Sequence, residues 1–302
     1  MQTRILAFVN LIRLPNLIML ALVQVLMVLV FLPAFIPSFE FETWKLISLI
    51  SSVCFIAAGG NLINAYFDQQ TDLINKSKHY NNYKHLGKRR CLISYAVLST
   101  IGLILGFWLS FNSNNYLALV IYGFVFISLF MYSKYLKGSF LVGNILVSLV
   151  VGLSLLLPWV LGVDEKTFHL QDPVFQLLLS YILFAAVINF ARELAKDAED
   201  VVGDFATNHQ TFAILMGKKR TQQFIQILVF ICLIGLVYAY FRFFAGQLIP
   251  MLYIFLALVS SGIIIFVKTG KAKHKKDFSK LSMLFKIWMF LGLISLGFYG
   301  WV

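Results

Sequence analysis

Nine apolar runs of near-uniform length punctuate the chain, at residues 17–36, 45–67, 92–111, 115–132, 140–162, 174–191, 222–241, 248–268 and 283–302. About 20 apolar residues in a helix cross the hydrocarbon core of a bilayer. The pattern therefore predicts an all-α, polytopic membrane protein of about nine transmembrane helices. The polar stretches between the runs are too short for a soluble unit, so residues 1–302 read as a single transmembrane domain. Pro33 near the end of the first run and Pro158 in the fifth mark expected kinks, which membrane helices tolerate.

Composition agrees: 60% of residues are hydrophobic and 13% charged, against about 25% charged in soluble domains. The net charge of +12 raises the question of nucleic acid, but its distribution answers otherwise. With the N-terminus placed inside, the arm before the first run and the segments after runs two, four, six and eight, the last taken from Lys268 to Lys286, hold every Lys and Arg except Lys45, Lys166 and Arg242. That asymmetry is the positive-inside rule. It predicts a multi-pass protein of the cell inner membrane with a cytoplasmic N-terminus and the C-terminus on the far side. The opposite-side connections carry little beyond Glu40, Glu42, Asp164, Glu165 and Asp172. Cys54, Cys91 and Cys232 are scattered in or beside apolar runs, with neither disulfide nor metal-ligand spacing. The first run is read as a retained helix rather than a cleaved signal peptide.

Two acidic stretches change the picture from scaffold to chemistry. The first, at the end of the second run, places Asn64, Asp68 and Asp72 at i, i+4 and i+8, nearly one helical face, with Asn61 one turn earlier. The second, past the sixth run, places Asp197, Asp200 and Asp204 at i, i+3 and i+7, with Glu193 four residues before. Taken singly, each could be a solvated helix end. Polar groups at membrane depth are costly and usually functional, however, and both sets fall on the same, cytoplasmic side. Facing carboxylates repel unless cations lie between them, and Mg²⁺ prefers hard oxygen ligands and commonly bridges to phosphate oxygens. The expected ligand is a diphosphate held through Mg²⁺. Asp68, Asp72, Asp200 and Asp204 are the expected catalytic acids, and Lys134, Lys137 and the Lys88-Arg89-Arg90 cluster the basic residues that complete neutralisation. Lys271 to Lys276 read only as topology lysines.

Asn64-x-x-x-Asp68-x-x-x-Asp72, followed by Asn75-Lys76, resembles the first signature of the UbiA superfamily of intramembrane prenyltransferases. Arg192-Glu193 through Asp204, with Thr211 and Gly217, resembles its second. Arg13-Leu-Pro-Asn16, Tyr132-x-x-x-x-Lys137 and Gly143-Asn144 are similar to further marks in the same order, so the resemblance covers essentially the whole chain. The spelling is most similar to the digeranylgeranylglyceryl phosphate synthase-like branch. The resemblance implies a helix bundle around a central cavity and Mg²⁺-dependent transfer of a polyprenyl group, geranylgeranyl in that branch, from its diphosphate to a lipophilic acceptor such as a prenylglycerol phosphate. It implies Asn64, Asp68, Asp72, Asp197, Asp200 and Asp204 as metal positions. Asn64, Lys137, Lys134, Tyr132, Arg13 and Arg192 are the substrate-binding positions. The partners are a polyprenyl diphosphate, the acceptor and membrane lipid, with no nucleic acid. An aromatic acceptor of quinone or pigment synthesis is the alternative within the family; a transporter or a non-catalytic lipid binder is the alternative outside it. Ala65, Ser77, the stretch His79 to His85, Asn208 and Gln210 depart from the common family spelling.

Overall fold

The computed structural model describes residues 2–163 and 172–301. Among these, nine helices are long and apolar enough to cross a membrane: α1 (Leu14–Phe35), α2 (Thr43–Phe67), α3 (Lys88–Asn112), α4 (Tyr116–Leu136), α5 (Val142–Gly162), α6 (Pro173–Ala206), α7 (Phe212–Phe243), α8 (Leu248–Lys271) and α9 (Lys275–Tyr299). They match the nine apolar runs one for one. Asp164, Glu165 and Lys166 of the α5–α6 connection, and Val302, lie outside the described residues.

The helices form a ring in chain order. Each packs on its successor, α6 also packs on α9, and α1 packs on α2 and α5 and meets the C-terminal turn. One apolar core lies among α1 to α5, around Leu49, Leu109 and Tyr122. A second lies among α6 to α9, around Phe278, Phe285 and Trp288. Phe31, Leu178 and Leu296 join the two. In lipid the force between helices is close packing rather than expulsion of water, so small residues mark the tight seams. At Gly102 of α3 an added Cβ would lie 3.0 Å from the backbone N of Ile56 and O of Ser52, which sets how closely α2 and α3 approach.

The proline positions have local consequences. A π-helical turn, Met27–Phe31, precedes Pro33 in α1, where a prolyl residue cannot supply its backbone donor. Pro158, by contrast, stays inside an α5 that continues to Gly162.

Two helix ends matter for the site. The sixth run ends at residue 191, but α6 continues unbroken to Ala206 over 34 residues. Arg192 and Glu193 are packed inside the protein there, so the helix needs no apolar surface to persist. α2, in contrast, ends at Phe67, and Asp68 (φ −78°, ψ 1°) stands at the bend before a short helix, Gln69–Ile74. On the same side, an N-terminal helix (Gln2–Leu11) packs on an interfacial helix (Lys78–Leu86) through Leu11, Tyr83 and Leu86.

Candidate active site

The two acidic stretches are stapled together by Asn75, just past the short helix Gln69–Ile74. Its Nδ2 donates to the Asp200 carbonyl at 3.3 Å, and its Oδ1 accepts from the Gly203 amide at 3.0 Å. An added Cβ at Gly203 would stand 2.3 Å from that Nδ2, so only glycine lets the asparagine lie against α6. One turn on, the hydroxyls of Thr71 and Thr207 meet at 3.2 Å. The first acidic stretch thus lies along the C-terminal end of α6, beside the second.

Asp68, Asp197, Asp200 and Asp204 each then meet a polar or charged group from outside their own helix. Asp68, buried at the α2 bend, accepts from Asn64 Nδ2 at 2.6 Å and pairs with Lys137 Nζ through the same Oδ2. Lys137 follows the π-helical turn Tyr132–Leu136 that ends α4, its backbone N–H bonded to the Tyr132 carbonyl at 2.9 Å. Burial works against the lysine's charge, but Asp68 and then Asp72 outweigh it and hold its pKa above the ordinary value. The Lys137 charge is also felt at Asp197 and Asp200 on the second stretch. Burial, and then the charge of Asp68, raises the Asp72 carboxyl above the usual carboxylate range. Asp197 accepts from Asn144 Nδ2 of α5 at 2.7 Å. Asp204 lies 3.3 Å from His209 Nδ1, and Asp200 3.9 Å from Lys275 Nζ.

Not every expected residue joins. Lys134 is exposed, its ammonium 4.7 Å from the Tyr135 ring centre and 5.8 Å from that of Phe130. It still lines a polar cavity of about 480 Å³ beside the acids, together with Asp68, Lys137, His209 and Gln210. Lys88, Arg89 and Arg90 are exposed at the start of α3, and no ion pair among the described residues ties them to either acidic set. Tyr132 is half-buried within electrostatic reach of Glu193, Asp197 and Asp68. Arg13, in a left-handed conformation (φ 57°) between the N-terminal helix and α1, lends its charge to the same centre. Arg192 is buried and paired with Glu193 at 2.6 Å.

Four supporting residues were not among the expected site residues. Asn75 and Asn144 stand in the sequence only as motif neighbours, and His209 carries no local signal. Lys275 corrects the reading of Lys271 to Lys276 as topology lysines, since its ammonium also donates to the Asn75 carbonyl at 2.9 Å.

The donor set fits Mg²⁺. It consists of hard oxygens, and the Asn64 Oδ1 is buried without a hydrogen-bond partner. Among the described residues no three His, Cys, Asp or Glu side chains form a ready-made metal cage. Mg²⁺ characteristically binds through one or two carboxylates plus substrate phosphates rather than within an all-protein cage.

Residues 16–294 match the model of the UbiA prenyltransferase family. The chain belongs to that family. As a UbiA prenyltransferase it is an integral, multi-pass membrane enzyme, and the transporter reading falls. It is 29% identical to a digeranylgeranylglyceryl phosphate synthase of Methanobrevibacter smithii, over 95% of both chains. It is 30% identical to one of Korarchaeum cryptofilum, over 80% of both. The solved structure of a digeranylgeranylglyceryl phosphate synthase superposes over the full length of both chains with a TM-score of 0.67 at 24% identity. A UbiA homologue from Archaeoglobus fulgidus, bound to GPP and Mg²⁺, gives a TM-score of 0.60 at 12% identity, over 96% of this chain and 99% of that one. At these identities the two structures establish the shared fold.

Proposed function

We propose that this UbiA prenyltransferase transfers a polyprenyl group, geranylgeranyl in the first instance, from its diphosphate to the hydroxyl of a prenylglycerol phosphate. Residues 1–302 act as one transmembrane domain, with the N-terminus and the site on the cytoplasmic side of the cell inner membrane. The Lys and Arg asymmetry supports that orientation. The names of the archaeal relatives support the choice of acceptor.

The observation that carries the reading is the Asn75 staple, which lays two carboxylate stretches side by side, with Lys137 paired to Asp68 and its charge felt at Asp200. Asn64, Asp68, Asp72, Asp197, Asp200 and Asp204 would hold Mg²⁺, which neutralises and orients the departing diphosphate when bound. Lys137 adds a fixed positive charge where negative charge builds up on the leaving group. The C1–O bond to the diphosphate breaks and the diphosphate leaves with the electron pair. The acceptor oxygen forms the new C1–O bond, and its proton passes to solvent. Tyr132, half-buried among these groups, is an aromatic ring available to stabilise the electron-deficient carbon.

The test is turnover by the detergent-purified chain. Labelled geranylgeranyl diphosphate is offered with glycerol-phosphate lipids and with hydroxybenzoate or naphthoate acceptors, with and without Mg²⁺. A Mg²⁺-dependent ether lipid is expected. Aromatic product alone would overturn the acceptor, and no product from any acceptor would overturn the proposed reaction.

A further inference from the structure

One turn deeper in the membrane than Asp197, α6 carries a buried cluster whose charges do not balance. Glu193 accepts from Arg192 Nη1 at 2.6 Å and lies 3.3 Å from Lys196 Nζ. Arg13 from the α1 entrance and Lys286 of α9 bear on the same carboxylate. Both are half-buried, and neither has an ion-pair partner among the described residues. Two cations thus contact this one carboxylate and two more lie within electrostatic reach of it. Arg192 is 7% exposed, and its Nε is buried with no hydrogen-bond partner. Its Nη1 is turned to Glu193 and, at 3.4 Å, to Asn189 Oδ1.

A cation buried without an anion is expensive, and an idle guanidinium N–H in such a place is a donor lacking its acceptor. The excess calls for an anion with several acceptor oxygens, and a guanidinium fork with flanking ammonium groups is a phosphate-binding chemistry. The acids above it cannot be that anion's site. They are of its own sign, and the diphosphate reaches them through Mg²⁺. From Glu193 to Asp197 is four residues, roughly 6 Å along the helix axis, so an anion held here lies just below the diphosphate, at the depth of the prenyl carbon.

We propose that Arg13, Arg192, Lys196 and Lys286 form a second anion subsite that takes the phosphate monoester of the acceptor and aims its hydroxyl at the prenyl carbon. This deepens, and rests on, the prenylglycerol phosphate reading above. Separate sites for the two phosphates let one centre hold two anionic lipids without exchanging them. Glu193 spaces the cations and limits their mutual repulsion.

The experiment measures KM for each substrate separately, with geranylgeranyl diphosphate and geranylgeranylglyceryl phosphate, in the wild-type chain, Lys286→Met, Arg192→Lys and the exposed control Lys280→Met. Binding of geranylgeranylglyceryl phosphate and of unphosphorylated geranylgeranylglycerol is measured alongside, without donor. Loss of a charged hydrogen bond corresponds to about tenfold or more. Lys286→Met should raise the acceptor KM by that factor and leave the donor KM in place. It should also shrink the binding preference for the phosphorylated lipid, which a merely structural lysine would not do. Arg192→Lys keeps the charge but not the fork and should show a smaller loss of the same kind, while Lys280→Met should match wild type. A rise in donor KM with the acceptor KM intact would assign the cluster to the diphosphate and overturn the proposal, as would equal wild-type binding of the two lipids. If the wild-type chain prenylates only aromatic acceptors, the underlying function reading fails instead, and the two failures are distinct.

Discussion

Lys137, from the turn between α4 and α5, is ion-paired with Asp68, at the bend that ends α2. The two residues are 69 positions apart, and the pair fixes the acid and the base of the site against each other. Asp68 is held from both sides, since Asn64 donates to the same oxygen at 2.6 Å. Lys137→Ala would leave the buried carboxylate with Asn64 as its one remaining side-chain donor among the described residues and remove the cation proposed to face the leaving group. The apparent affinity for the prenyl diphosphate should fall by about tenfold or more, as for a lost charged hydrogen bond. An unchanged donor KM in Lys137→Ala would show that this lysine serves topology alone.

Asp68→Ala and Asp200→Ala each remove a carboxylate proposed to hold Mg²⁺ while leaving the apolar surface that holds the helices in the membrane. Both should insert normally and lose at least about a hundredfold in kcat, the scale of losing one electrostatic contact to a transition state. Chelation of Mg²⁺ in the wild-type chain should abolish turnover reversibly, and re-addition should restore it. Variants as active as wild type, or turnover indifferent to chelator, would remove the metal assignment.

The nine spans were legible because lipid imposes a simple demand. A chain crossing hydrocarbon must satisfy its backbone internally and present apolar side chains, and that demand is written continuously along each run. The acidic faces were legible because carboxylates near membrane depth have few structural reasons to exist. Other features depend on partners distant in sequence. Nothing near Asn75 indicates that its amide will lie against Gly203, because the fit is made by α6, more than a hundred residues on. Lys275 was masked by the positive-inside rule, which explains any cytoplasmic lysine and so hides one that also touches Asp200. The apolar run of α6 stops short of the helix end because apolarity marks where lipid ends, and this helix continues where protein takes over from lipid as its surroundings.

The staple itself can be broken from either side. Gly203→Ala puts a Cβ 2.3 Å from the Asn75 Nδ2, so the asparagine must leave α6. Asn75→Ala removes both hydrogen bonds without adding bulk. Each bond is worth about 1 kcal/mol, so both variants should lose about 1–2 kcal/mol of stability in detergent. Their larger loss should be in kcat, because the two acidic stretches are no longer held side by side. Comparable thermal unfolding with wild-type kcat in both variants would show that the stretches are aligned by the surrounding helices alone.

The interfacial helix Lys78–Leu86 offers a stability test that depends on pH. His79, half-buried at its start, is pushed down to about 4, first by burial and then by the charges of Arg13 and Lys196. Lys137 pushes the same way and Asp68 opposes. In the unfolded chain a histidine titrates near 6.5. Between those values the unfolded state binds a proton that the folded state refuses, and this group's contribution to folding declines as pH falls. The contribution is complete above about 6.5 and is lost progressively as pH drops toward about 4. Asn at this position keeps a polar side chain of modest size and cannot titrate. Between pH 7 and pH 5 the wild-type chain should therefore lose more thermal stability than His79→Asn does, and the difference between the two unfolding curves isolates this one group from every other titration. Parallel loss in both proteins would place His79, and with it the start of this helix, in contact with water.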